Sequence, residues 1–187
     1  VCERWSARKA RTSARQPVPE PKLDATVAQS SALHSAVFAG GCFWGVEAVF
    51  EHVKGVTDVV SGYSGGGVAQ PGYYAVSSGS TGHSEVVRVT WDPKQVSYGQ
   101  LLKVFFSVAH DPTQLNRQGP DHGTQYRSAI FYVDAGQQRV AAAYIAQMQA
   151  AGTFGKAPIV TQLAPLKKFW PAEADHQDFA RLNPTHT

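Results

Sequence analysis

Ala36-Val37-Phe38-Ala39-Gly40-Gly41-Cys42-Phe43-Trp44-Gly45-Val46-Glu47-Ala48-Val49-Phe50-Glu51-His52-Val53 sets the architecture of the chain. The segment opens with an apolar run and passes through a glycine pair. It continues with apolar residues at 46, 49, 50 and 53, one face of an amphipathic helix. The pattern predicts strand, glycine turn, helix, with Cys42 at the helix start. Unpaired backbone N–H groups and the helix dipole there favour a thiolate, the reactive form of cysteine. A free cysteine is more often only a small buried hydrophobe. The position of Cys42 at the helix start, which lowers a thiol pKa, favours the reactive reading.

Outward from this segment, extended and helical patterns alternate. Residues 55–62 read as a strand, followed by a Gly- and Ser-rich loop over 63–79. Residues 85–91 alternate as a strand that Asp92-Pro93 stops, and Ser97 caps a helix reaching 110. A strand over 126–133, a helix over 137–150, a strand over 159–163 and a helix over 172–182 complete the pattern. The expected fold class is α+β, a two-layer α/β sandwich on a mixed, largely antiparallel sheet.

The 187 residues are 43% hydrophobic, enough to bury one core. Residues 1–24 carry six basic against three acidic side chains and so hold the whole net charge of +3. The rest is neutral and has no nucleic-acid footprint, and no apolar run is long enough for a membrane span. Residues 1–34, basic and containing Pro17, Pro19 and Pro21, read as a disordered arm, and 35–187 as a single domain. The first residue is Val rather than Met, as in a processed product or a fragment. The compartment stays open between bacterial cytoplasm and an exported or cell-envelope site.

Two further clusters carry chemistry. In the 85–91 strand, Glu85, Val87, Val89 and Trp91 share one face. With that face toward the core, Glu85 points inward, stays protonated to higher pH and suits proton donation. As a strand-end residue it can equally reach solvent. His83, in the turn before it, reads as structural. In Asp121-His122-Gly123-Thr124-Gln125-Tyr126-Arg127-Ser128, Tyr126 at a strand start can offer a hydroxyl to a developing oxyanion, or be an ordinary strand aromatic. The seven histidines form no HExxH pattern and no paired cysteine ligands exist, so no metal is expected.

Together Gly41-Cys42-Phe43-Trp44-Gly45, Gly82-His83-Ser84-Glu85 and Gly123-Thr124-Gln125-Tyr126-Arg127-Ser128 resemble the A-type peptide methionine sulfoxide reductases, in the family's order. The resemblance implies reduction of the S epimer of methionine sulfoxide, free or in oxidised proteins, without a metal or organic cofactor. The resemblance covers roughly residues 36–184; the catalytic domain is expected over 35–187, as a monomer. By position Cys42 matches the nucleophile, Phe43 and Trp44 the pocket for the substrate methyl group, and Glu85 the acid facing the sulfoxide oxygen. Tyr126 and Tyr73 match the tyrosines that bind that oxygen, with Tyr74 a competing assignment for the second. Asp121 matches an acidic residue that orders the pocket and the substrate backbone.

The chain departs from the family pattern in recycling. Many members carry resolving cysteines in a glycine-rich C-terminal tail, whereas here the only other thiol is Cys2, forty residues before Cys42. The expected reductant is external, thioredoxin or another thiol, with direct attack on the oxidised Cys42 favoured over resolution by Cys2. Two other functions compete. One is a cysteine hydrolase pairing Cys42 with a histidine such as His176. The other is a non-catalytic module binding methionine-containing peptides. Neither accounts for the three linked motifs.

Overall fold

A computed structural model describes residues 17–24 and 32–185. Strand β1 (His34–Gly40) leads through Gly41 and Cys42 into helix α1 (Phe43–Glu51), as the sequence predicts. Strand β2 (Val56–Ser64), the short helix α2 (Tyr73–Ser77) and strand β3 (Ser84–Trp91) follow. Helix α3 (Tyr98–Val104) runs on into a π-turn, Phe105–Ala109. Ser97 starts it with a capping box, accepting from the Gln100 N–H while Gln100 accepts from the Ser97 N–H.

Next come the hairpin strands β4 (Arg117–Gln118) and β5 (Asp121–His122), a 3-10 turn Thr124–Tyr126 and strand β6 (Ser128–Tyr132). Helix α4 (Ala135–Ala150), strands β7 (Gln162–Pro165) and β8 (Phe169–Pro171), a 3-10 turn Ala174–His176 and helix α5 (Phe179–Leu182) complete the order.

Six strands form one sheet in the order β7-β6-β1-β3-β2-β8. All its pairings are antiparallel except β6 with β7, so the sheet is mixed and largely antiparallel, as expected. The alternation of strand side chains gives it two unequal faces. Phe38, Val87, Val89, Trp91 and Ile130 join Phe43, Phe50, Leu101, Phe105, Val140 and Tyr144 from the helices in the main core. Val37, Ala39, Val86, Ala129 and Phe131 form a smaller cluster on the other face. Each large apolar side chain so enclosed contributes about 1.5–3 kcal/mol of transfer free energy.

Several local readings give way to tertiary structure. Tyr126 lies in a 3-10 turn rather than at a strand start, because Gly123 at φ 130° bends the chain before β6. The helix expected over 172–182 is split, with Asp178 at φ 53° between the 3-10 turn and α5. Helix α2 arises inside the expected 63–79 loop, and β8 and the β4–β5 hairpin carry no strand-like alternation long enough to read.

Of the arm expected over 1–34, residues 17–24 lie against α3 and α4. The Tyr144 hydroxyl donates to the Pro19 carbonyl, Gln147 Nε2 to the Glu20 carbonyl, and the Lys22 N–H to Gln147 Oε1. Asp24 accepts from the Ser97 hydroxyl and the Gly99 N–H. Prolines restrict the backbone before docking, which lowers the entropy cost of this packing.

One core residue is out of character. Glu47 of α1 is 1% exposed. Neither carboxyl oxygen has a hydrogen bond of ordinary geometry, and burial pushes the group up to about 7. Looser approaches of the Asp178 backbone and the Ser61 hydroxyl pull the other way. The folded state therefore holds the Glu47 proton more tightly than the unfolded chain, so stability falls as pH rises from about 4.5 to 7. Glu47→Gln is expected to gain roughly 2–3 kcal/mol on wild type between pH 5 and pH 8. Urea midpoints of both proteins at the two pH values measure this. A constant difference would show that Glu47 does not titrate in this range.

Candidate active site

The turn between β1 and α1 depends on two glycines. At Gly40 a Cβ would lie 3.1 Å from the Phe105 ring and 3.3 Å from His110. That histidine is fixed in turn, with Nδ1 3.0 Å from the Phe105 carbonyl and Nε2 2.7 Å from the Ser128 hydroxyl. Gly41 has φ +92°, and a Cβ there would meet Gln118 at 2.7 Å. This turn places Cys42 at the N-cap of the nine-residue α1. Cys2, the chain's other cysteine, lies outside the described residues.

Glu85 meets the same helix end. Its row, with Val87, Val89 and Trp91, faces the main core, so its carboxyl points inward and is 1% exposed. Glu85 Oε2 accepts the Phe43 N–H at 3.0 Å, one of the donors that an α-helix leaves unpaired at its start. Burial pushes the carboxyl up to about 8; the Phe43 bond opposes this and the Asp121 charge adds to it. At neutral pH Glu85 is a protonated acid one residue removed from Cys42 along the helix end.

Aromatic rings pack around Phe43 and Trp44, the two residues that follow Cys42. Phe43 lies 5.7 Å from Tyr63, 6.3 Å from Tyr73 and 6.4 Å from Trp44, between ring centroids. Trp44 is 6.4 Å from Tyr73 and stacks on Phe179 at 3.7 Å. Tyr73 faces this cluster at 9% exposure, whereas Tyr74 is 87% exposed, which separates the two neighbours.

Tyr126 is buried as well. Burial pushes its hydroxyl pKa up, followed by the charges of Glu85 and Asp121 and a contribution from Tyr73, so these four groups converge. The turn carrying Tyr126 is tied down on both flanks. Gln125 Nε2 donates to the Ser77 carbonyl at the end of α2, and Arg127 Nη2 to the Gly82 carbonyl before β3. Asp121, half-buried in β5, completes the group.

His83 has the structural role expected of it. Its Nδ1 accepts the Gly66 N–H and its Nε2 lies 2.8 Å from the Val68 carbonyl, which braces the loop leading to α2.

The family model described as peptide methionine sulfoxide reductase matches residues 34–187. MsrA 2 of Mesorhizobium japonicum is 57% identical over 152 residues, 81% of this chain and 77% of that protein. MsrA 2 of a Synechocystis strain is 53% identical over 171 residues, 90% of this chain and 79% of that protein. Among solved structures, reduced Mxr1 from Saccharomyces cerevisiae superposes with a TM-score of 0.76 at 33% identity, covering 82% of this chain and 87% of that one. Methionine sulfoxide reductase A of Corynebacterium diphtheriae gives 0.71 at 32% identity, covering 96% and 90%.

This chain belongs to the peptide methionine sulfoxide reductases. It is accordingly an oxidoreductase. In this reductase Cys42, Phe43 and Trp44 stand at the start of α1, Glu85 accepts the Phe43 N–H, Tyr73 lies beside the Phe43 ring, and Asp121 and Tyr126 are near enough to Glu85 to interact electrostatically.

Four more residues of the reductase join that cluster without belonging to the three motifs, His176 being named from the sequence only in the competing hydrolase reading. Tyr63 stands opposite Glu85 in the β2–β3 register. His176 stacks on Tyr73 at 4.0 Å and lies 5.8 Å from Phe43, and Phe179 covers Trp44. Glu173 accepts hydrogen bonds from both Tyr63 and Tyr73. Glu173 and His176 lie about a hundred residues from the tyrosines they touch, and Phe179 lies further still from Trp44, so no local pattern could have joined them.

Proposed function

We propose that this enzyme reduces the S epimer of methionine sulfoxide, free or in oxidised proteins, through a sulfenic acid on Cys42. The observation that carries the reading is the contact of the buried, neutral Glu85 carboxyl with the Phe43 N–H. A sulfoxide oxygen leaves sulfur only when protonated or strongly hydrogen-bonded, and a carboxyl still protonated at neutral pH supplies that proton. Tyr73 and Tyr126, both deep in the site, offer hydroxyl donors to the same oxygen.

The Cys42 thiolate, stabilised by the α1 N-terminus, attacks the sulfoxide sulfur as Glu85 protonates the oxygen. The oxygen passes to Cys42, methionine leaves, and Cys42 is a sulfenic acid. Phe43 and Trp44 hold the substrate methyl group, and Asp121 orders the pocket and the substrate backbone. A thiol then condenses with the sulfenic acid to a disulfide with loss of water. An external dithiol of the thioredoxin class returns the thiolate and takes up the oxidising equivalents. A structure of yeast Mxr1 in complex with Trx2 is known.

Pre-reduced protein mixed with each epimer, without added thiol, tests the reading. About one methionine per chain is expected from the S epimer only, with the oxidised product on Cys42 identified by mass spectrometry. A Cys2–Cys42 disulfide as the end product would make Cys2 the condensing thiol, and an unpaired sulfenic acid would assign that step to an external one. Equal consumption of both epimers, or of neither, would overturn the proposal.

A further inference from the structure

Helix α2 begins with Tyr73 and has no side-chain cap from its own N-cap residue, Gly72. The first N–H of such a helix normally needs a partner. Here the partner comes from a hundred residues further on, since Glu173 Oε1 accepts the Tyr73 N–H at 2.8 Å. The other oxygen of the same carboxylate, Oε2, accepts the Tyr63 hydroxyl at 2.8 Å. A Cβ on Gly72 would lie 3.5 Å from Glu173 Oε1, so glycine leaves that approach open.

Glu173 also starts the 3-10 turn Ala174–His176. The ring of His176, from that turn, lies on Tyr73 at 4.0 Å, with 27° between the planes. The turn thus holds Tyr73 twice, by its backbone N–H and by the face of its ring. Two charge-assisted bonds on one carboxylate fix orientation more firmly than neutral bonds do.

Tyr63 gains a second consequence. It stands directly across the β2–β3 pair from Glu85. Its only hydroxyl hydrogen is committed to Glu173, so it does not donate to the Glu85 carboxyl. Burial pushes the Glu173 carboxyl up, but the Tyr73 N–H, its own N–H, the Tyr63 hydroxyl and nearby His176 outweigh this and hold it below the usual range. The carboxylate therefore stays charged across the working range of a thiol enzyme.

We propose that Glu173 is a positioning residue for sulfoxide reduction. It fixes the Tyr73 hydroxyl over the reacting oxygen by anchoring the start of α2. The inference rests on the oxygen-binding role proposed for Tyr73.

The test is a double-mutant cycle on single-turnover reduction, with wild type, Glu173→Ala, Tyr73→Phe and the double variant. Each single change is expected to slow reduction about ten-fold, the scale of one hydrogen bond lost or misaligned at the reacting oxygen. The double variant is expected to be no slower than Tyr73→Phe, because Glu173 acts through that hydroxyl. Most of the loss should fall on kcat rather than KM. Glu173→Gln, which keeps one acceptor, is expected to recover part of the rate and serves as the folding control alongside near-ultraviolet circular dichroism.

Faster amide hydrogen exchange at Tyr73 in Glu173→Ala would support the anchoring. Additive losses, or a wild-type rate in Glu173→Ala beside a slow Tyr73→Phe, would overturn the inference and leave the proposed chemistry standing. A wild-type rate in Tyr73→Phe would instead overturn the role given to Tyr73, and the inference with it.

Discussion

Glu85→Gln is expected to slow single-turnover reduction of methionine sulfoxide by about two to four orders of magnitude and to leave the fold in place. The carboxyl is held up to about 8 by burial, so below that pH the folded enzyme already carries it neutral. Exchange for the isosteric amide changes no charge there. The amide oxygen still accepts the Phe43 N–H that Glu85 Oε2 accepts at 3.0 Å. What disappears is a proton acidic enough to follow the oxygen as the S–O bond to substrate breaks.

The pH profile gives an independent check. The protonated form of Glu85 is the working one, so the rate is expected to fall as pH rises through about 8. That alkaline limb should be missing from Glu85→Gln. The same raised value means that the group favours the folded state at low pH, an effect lost between about 4.5 and 8. Glu85→Gln should therefore be no less stable than wild type at pH 8. Rapid-quench measurement of methionine formed from pH 6 to 10 reads this limb, and an unchanged rate in Glu85→Gln would remove Glu85 from the mechanism.

Gly41→Ala is expected to lose about 2 kcal/mol or more of stability and about a hundred-fold in rate. The strain has two sources. Gly41 sits at φ +92°, where L side chains rarely go, and its added Cβ would lie 2.7 Å from Gln118 Cβ and Cγ. Gln118 has little room to yield, because its Oε1 accepts the Asp111 N–H at 3.0 Å and its Nε2 donates to the Asp111 carbonyl at 2.7 Å. Relief must come from the turn itself, which carries Cys42 and, through Phe43, the Glu85 contact.

A misplacement of about 1 Å at a reacting atom is enough for a loss of this size. Thermal unfolding and single-turnover rates of Gly41→Ala measure the two effects together. A normal rate in a normally stable protein would show that the β1–α1 turn tolerates a side chain and does not fix the nucleophile.

The segment around Cys42 was legible because its information is local. The apolar run of β1, the glycine pair and the 46, 49, 50, 53 spacing each act over a few residues, and the strand, turn and helix follow. The 85–91 strand was legible for the same reason: alternation put Glu85 on the face of Val87, Val89 and Trp91, and that face is the core. Alternation could not say whether a residue at the strand's end reaches solvent. The packing of α1 over it decided that.

Other features have no local cause. Glycine-dependent geometry at Gly123 turns Tyr126 into a 3-10 turn, and a left-handed Asp178 divides the C-terminal helix, both against the local pattern. Choosing Tyr73 over Tyr74 needed the fold, because neighbours in a short helix point in different directions. Sequence by itself determined the strand-turn-helix around Cys42 and the mixed, largely antiparallel sheet. The tertiary structure alone decided that Glu173, His176 and Phe179 close over tyrosines and a tryptophan about a hundred residues or more away. Backbone propensity and periodicity act within a turn or a strand, whereas such contacts exist only once packing brings distant segments together.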